Sequence, residues 1–180
     1  KNVIANCMEG ADISELAPFD LDYLFLRLRT KSVGETADIG VKCAKCENFN
    51  EIKVNLDSVE IVKNPAHTFS IKIDDNLAFE MKYLDSQDAN VVSENGVDAM
   101  LELIFKSTAK VYNGEETIDV EPSDKEDFIA LLKSMNKDQF SKVQEFFNTM
   151  PALKKEVEFT CGECGHENKE TLEGLQTFLS

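Results

Sequence analysis

Four cysteines in two short pairs are the residues whose types and spacing point to chemistry. Cys43-Ala44-Lys45-Cys46 is one pair and Cys161-Gly162-Glu163-Cys164, followed by Gly165-His166, is the other. Two C-x-x-C pairs supply four thiolates, which is a complete tetrahedral shell for Zn2+ with no position left open for an attacking water. The pattern therefore predicts a structural zinc ion held by Cys43, Cys46, Cys161 and Cys164. His166 stands close to the second pair, but four thiolates leave it no place in the shell. A redox dithiol is the competing chemistry. It needs a C-x-x-C at the start of a helix in a βαβ context, where the thiol pKa falls, and neither pair has that setting. A quartet without metal, or one oxidised to disulfides, is the remaining alternative.

A pair needs a turn to present it, and both pairs lie between alternating segments. Ala37, Ile39 and Val41 alternate with polar residues up to Cys43, and Ile52, Val54 and Leu56 alternate beyond Cys46. Val157 and Phe159 lead into Cys161, and residues 167–171 supply a return strand. Each C-x-x-C is thus read as the tip of a β-hairpin, with Lys42 and Lys45 placed to offset thiolate charge. The long stretch between the pairs changes only loop-closure entropy, which grows slowly with length.

The other elements follow from period and punctuation. Pro18 and Asp20 open a helix whose apolar positions are Leu21, Leu24, Phe25 and Leu28, and Gly34 ends it with a left-handed cap. Phe69, Ile71 and Ile73, a turn at Asp74-Asp75-Asn76, then Leu77, Phe79, Met81 and Tyr83 predict a hairpin. From Ser86 to about Phe105 the spacing is helical, with Val91, Val92, Val97, Met100, Leu101, Ile104 and Phe105 on one broad face and Gly96 interrupting it. Asn113-Gly114 between alternating segments predicts a second hairpin, with a loop lengthened by Glu115 and Glu116. Ser123-x-x-Glu126 matches a capping box for a helix carrying Phe128, Ile129, Leu131, Leu132 and Met135. A further helix from Asn136 carries Phe140, Val143, Phe146 or Phe147, and Met150, and Pro151 stops it. Leu172, Leu175, Phe178 and Leu179 predict a short apolar helix near the end of the sequence.

Together these predict an α+β fold. Residues 1–17 are an arm; 18–63 and 155–180 form a four-cysteine zinc-ribbon domain with flanking helices; 64–154 form an inserted α/β region of two hairpins and three helices. At 180 residues the chain is long enough for a sizeable core without covalent help. The first residue is Lys1, which predicts a processed, trimmed or partly ordered version of a longer chain. No signal-peptide pattern opens the sequence, and no apolar run approaches the ~20 residues of a membrane span.

The net charge is −15. Four bound thiolates and one Zn2+ add about −2 more. That balance opposes broad contact with phosphates and with anionic membranes. It predicts no nucleic-acid and no membrane partner, and favours a basic protein surface. Of the five cysteines, Cys7 is unpaired, and the set reads as reduced thiols rather than a disulfide scaffold. Arg27, Arg29 and Lys31 are the densest basic group. They suit a solvated helix end; a docking surface and a buried, internally paired arginine are the other readings. His67 suits a loop. The acidic pairs Asp74-Asp75 and Glu115-Glu116 suit solvated turns. No Gly-rich phosphate loop, H-E-x-x-H or G-x-S-x-G is present, and no catalytic constellation emerges.

The order of motifs carries a resemblance. Phe19-Asp20-Leu21-Asp22-Tyr23-Leu24-Phe25-Leu26-Arg27-Leu28-Arg29 runs into Ser32-Val33-Gly34 and then the first pair. Phe146-Phe147-Asn148-Thr149-Met150-Pro151 precedes the second pair, and Leu172-Glu173-Gly174-Leu175-Gln176-Thr177-Phe178 follows it. Over roughly residues 13–180 this resembles the baseplate protein family of T4-like contractile-tailed bacteriophages, whose members include a baseplate hub or hub-assembly protein. Family members often have a second aromatic after Phe178, where this chain has Leu179. Proline and glycine commonly flank the first pair, where this chain has Ala44 and Glu47. The resemblance implies a non-enzymatic protein of tail assembly that binds other phage baseplate hub or tail proteins. Its place would be the virion baseplate, or the host cytoplasm during assembly. Arg27, Arg29, Phe178 and Leu179 are the candidate partner contacts. The rival class is a zinc-ribbon nucleic-acid module of transcription or translation type. Glu47, Glu51, Glu156, Glu158, Glu163 and Glu167 on the ribbon speak against it.

Overall fold

The computed structural model describes residues 16–85 and 96–179. Cys7, nearly all of the expected N-terminal arm, and residues 86–95 of the expected long helix lie outside the described residues. The fold is α+β, and the chain divides into two compact units. Among the described residues, one takes Phe19–Val62 and 151–179; the other takes 16–18, 63–85 and 96–150.

In the first unit, helix α1 spans Pro18–Ser32, with Asp20 in its first turn and Arg29 and Lys31 in its last. Its buried residues are Leu21, Leu26 and Thr30, while Leu24, Phe25 and Leu28 are half-buried. The helix buries part of nearly every side, so the expected single stripe does not exist. Strands β1 (Thr36–Lys42) and β2 (Phe49–Asn55) pair antiparallel from Thr36↔Asn55 to Lys42↔Phe49. A 3-10 turn, Leu56–Ser58, leads to β3 (Glu60–Val62), which the sequence pattern did not reveal because three residues carry no period. β3 pairs with β8 (Ala152–Thr160), and β8 pairs with β9 (Glu167–Glu173), all antiparallel. The strand into Cys161 therefore begins well before Val157. The expected apolar C-terminal helix is one 3-10 turn, Leu175–Phe178, because Leu172 is still in β9. Ile39, Val54, Leu56, Val59, Leu153 and Phe178 are among the buried core residues of this unit.

The second unit joins its two hairpins into one sheet of order β4-β5-β6-β7, made by Ser70–Lys72, Leu77–Met81, Thr108–Asn113 and Glu116–Asp119. The β6–β7 loop is tighter than the sequence suggested. Asn113 pairs with Glu116, so Gly114 and Glu115 alone make the turn, and Gly114 takes φ 62. Helix α2 (Val97–Lys106) starts after Gly96 and buries Leu101, Ile104 and Phe105; Val97 is exposed and not on the buried face. Helices α3 (Lys125–Ser134) and α4 (Lys137–Asn148) follow. The α3 cap differs from the expected Ser123–Glu126 box. A 3-10 turn, Pro122–Asp124, precedes the helix, and the Glu121 N–H donates to Asp124 at 2.9 Å. The α4 cap is as expected: Asn136 accepts from the Gln139 N–H at 2.9 Å, and Gln139 accepts from the Asn136 N–H at 3.0 Å. Phe79, Ile104, Leu132, Val143 and Phe146 are core residues. His67 stacks on Tyr83 at 5.6 Å between ring centroids and packs against Phe146 at 4.9 Å. Among the described residues no helix is long and apolar enough to cross a membrane.

Candidate metal centre

Each cysteine pair sits in the turn between two paired strands, β1 and β2 for the first and β8 and β9 for the second. The two turns are built alike. The Cys43 N–H donates to Asn48 O at 2.9 Å and the Glu47 N–H to Cys43 O at 2.9 Å. At the matching places the Cys161 N–H donates to His166 O at 2.8 Å and the Gly165 N–H to Cys161 O at 2.9 Å. The residue after the second cysteine must take a positive φ to close this turn: Gly165 has 66° and Glu47 has 58°. Glycine does this without strain, whereas a glutamate there meets its own Cβ. The departure at Glu47 therefore leaves the backbone path intact.

The two turns bring all four sulfurs within 4.8 Å of one another. Cys43 Sγ lies 3.7 Å from Cys164 Sγ, and Cys46 Sγ lies 3.6 Å from Cys161 Sγ. A tetrahedron with Zn–S bonds of about 2.3 Å has edges of about 3.8 Å, so the spacing fits a single ion at the centre. The first cysteine of each pair is buried and the second exposed.

The thiols are also prepared electrostatically. The N–H groups of Cys164 and Glu163 point at Cys161 and, against burial, hold its thiol down to about 6. At Cys43 burial opposes ionisation, but the N–H groups of Cys46 and Lys45 outweigh it and the pKa is lowered. Cys46 receives the Asn48 N–H, yet the thiols of Cys164, Cys161 and Cys43, together with burial, push it up to about 12. Four sulfurs this close cannot all ionise against one another without a cation among them. The donor set, its spacing and its thiolate-stabilising amides thus suit a soft or borderline divalent metal.

His166 uses its backbone carbonyl here and stays outside the sulfur cluster. Lys42 places its Nζ 5.0 Å over the Phe49 ring.

Two residues that the sequence reading passed over complete the site. Asn50 Oδ1 accepts the Gly162 N–H at 2.9 Å, and Asn168 Oδ1 accepts the Ala44 N–H at 2.9 Å. Each therefore reaches from its own hairpin to the other. A signal existed: both motifs read C-x-x-C-x-x-x-N, over 43–50 and 161–168.

The candidate partner-contact residues scatter. Arg27 turns inward on its own unit. Its Nη1 donates to Asp57 O at 2.9 Å and Asp57 Oδ1 at 3.2 Å, and its Nη2 to Val59 O at 3.0 Å. The guanidinium also lies 4.6 Å from the Tyr23 ring centroid. Arg29 is half-buried, and its Nη1 is buried without a hydrogen-bond partner among the described residues. Phe178 is 0% exposed and belongs to the core, so its ring has no surface to offer. Leu179, next to it, is half-buried.

The family model described as T4 bacteriophage base plate protein matches residues 1–180, the whole chain. Neither the curated proteins nor the solved structures contain a match to it.

Proposed function

The chain belongs to the T4 bacteriophage base plate protein family, and from that premise we propose that it is a non-enzymatic component or assembly factor of the tail baseplate hub, working by protein–protein interaction around a structural Zn2+. Cys43, Cys46, Cys161 and Cys164 hold the ion. It supplies a fixed tetrahedral junction between two hairpins that are distant in sequence, and the chain's own residues do the rest. The observation that carries this reading is the closed quartet itself: all four ligand places are taken by sulfur, which leaves none for substrate or water.

The surface chemistry supports a protein partner. The strands beside the cysteines carry exposed Glu51, Glu156, Glu158 and Glu167. Such a face repels a phosphate backbone, which counts against the zinc-ribbon nucleic-acid reading. The proposed partners are other hub or tail proteins, met in the host cytoplasm during assembly and retained, or not, in the finished tail. Arg29 and Leu179 remain proposed contact points. Arg27 braces the Leu56–Ser58 turn, and Phe178 lies in the core.

The test is capture of a tagged chain from infected cells, beside a Cys43→Ser control. Baseplate proteins should accompany the wild type and be lost with the variant. Recovery of nucleic acid or of ribosomal components in place of tail proteins overturns the reading.

A further inference from the structure

We propose that Asn50 and Asn168 are positioning residues of the metal centre, crossed over its approximate twofold axis so that capturing the metal and joining the two hairpins become one cooperative event. The proposal rests on the reading of the cysteine quartet as a zinc site and adds a mechanism for its assembly.

Each asparagine is aimed by its own hairpin. Asn50 Nδ2 donates to Asn48 O at 2.9 Å, and Asn168 Nδ2 donates to His166 O at 2.9 Å. Those carbonyls are the ones that also receive the Cys43 and Cys161 N–H groups. At Asn168 the side chain also hydrogen-bonds Cys43. In both, the NH2 is anchored at home while Oδ1 is presented to the opposite turn. There it takes the amide directly after the buried cysteine, at Gly162 or Ala44. That amide sets the path of the next two, and those are the N–H groups aimed at the buried sulfurs: Lys45 N lies 3.4 Å from Cys43 Sγ. One hairpin's asparagine thus orients the thiolate-stabilising amides of the other. Neither half has its amides fixed until its counterpart is in place. The two crossings are not equal, because Asn168 is 5% exposed while Asn50 is half-buried. Losing Asn168 strands more buried polar backbone.

The experiment uses the full chain as wild type, Asn50→Ala, Asn168→Ala and the double variant. Zn2+ affinity is read by chelator competition, and Co2+ is substituted for its visible bands. Each single variant should bind Zn2+ about 10- to 100-fold more weakly, as loss of an outer-shell partner does elsewhere, with Asn168→Ala the weaker binder. The double variant should lose less than the product of the singles, since both crossings close one interface. At saturating Co2+ the ligand-field bands should shift, because the tetrahedron is no longer held from both sides; a purely structural asparagine would lower stability and leave those bands in place. Should alanine at the buried Asn168 prevent folding, Asn50→Ala carries the test alone. If the wild type binds metal with four thiolates while Asn50→Ala keeps its affinity and spectrum, the positioning role is refuted and the zinc reading stands. If the wild type takes up no metal, both fall.

Discussion

Glu47 holds a backbone conformation that Gly165 holds in the other turn, at φ 58 against 66. A left-handed φ costs a residue with a Cβ about 1 kcal/mol relative to glycine. Glu47→Gly should therefore raise the denaturant midpoint of the metal-loaded protein by an amount equivalent to about 1 kcal/mol, and Gly165→Ala should lower it by a similar amount. A lower midpoint for Glu47→Gly would contradict this account of the turn. The thiols make a second prediction. Metal binds the deprotonated sulfurs, so the bound state carries fewer protons and acid favours release. The amides lower the Cys161 pKa even without a cation, while the neighbouring thiols raise that of Cys46, so loading should decline progressively as the pH falls. Metal release followed with a colorimetric chelator checks this, and release on raising the pH would reverse the sign. The cysteines were legible in the sequence because thiolate chemistry admits few residue types at few spacings. Asn50 and Asn168 were not singled out, because asparagine is common in turns for purely local reasons. Only the repeat of one spacing in both motifs distinguished them.

At the scale of elements, Arg27 shows how a residue typed as a surface cation becomes a brace. Its guanidinium fork spans Asp57 and Val59, so α1 is tied to the 3-10 turn that leads into β3. Hydrogen bonds to a charged group are worth about 1.5–3 kcal/mol where partly shielded, and Arg27→Ala should destabilise the chain by about 2 kcal/mol. Arg27→Lys should recover less than half of that, because a single ammonium cannot span both carbonyls. Equilibrium unfolding of the two variants decides it, and equal stability of lysine and arginine would sink the fork argument. The regular hairpins β1–β2, β4–β5 and β6–β7 were readable because each keeps a period of two between clear turn residues. Helix α1 was legible as well, from Pro18 to its end before Gly34, but its buried face was not, because it is packed on several sides. Two elements were not readable, each for a physical reason. β3 is too short to show a period. The C-terminal turn follows β9 so closely that Leu172 was counted in the wrong element.

For the whole molecule, the two units carry separate hydrophobic cores, one including Ile39, Leu56 and Phe178 and the other Phe79, Ile104 and Val143. Removing the metal by chelation should therefore strip hydrogen-exchange protection from β1, β2, β8 and β9 while amides of β5 and β6 keep theirs. Uniform loss across both units would show that the metal supports more than its own unit. The α+β class and the two cysteine hairpins could be read from the sequence alone. The merging of two hairpins into one four-stranded sheet could not, because the β5–β6 pairing is a contact between segments separated by a helix.

Cys46 and Cys161 are 115 positions apart, and that spacing sets a clock. During synthesis at roughly 5–20 residues per second, the first pair waits on the order of 6 to 23 s before the second exists. For that interval the first hairpin has two ligands and no partner for Ala44, and the intervening sequence is already available to fold. A chain that stops short of residue 164 never completes the quartet. A metal held by all four cysteines would bind last and mark a chain translated through its second hairpin, and an assembly step that recognised the closed site would pass over fragments.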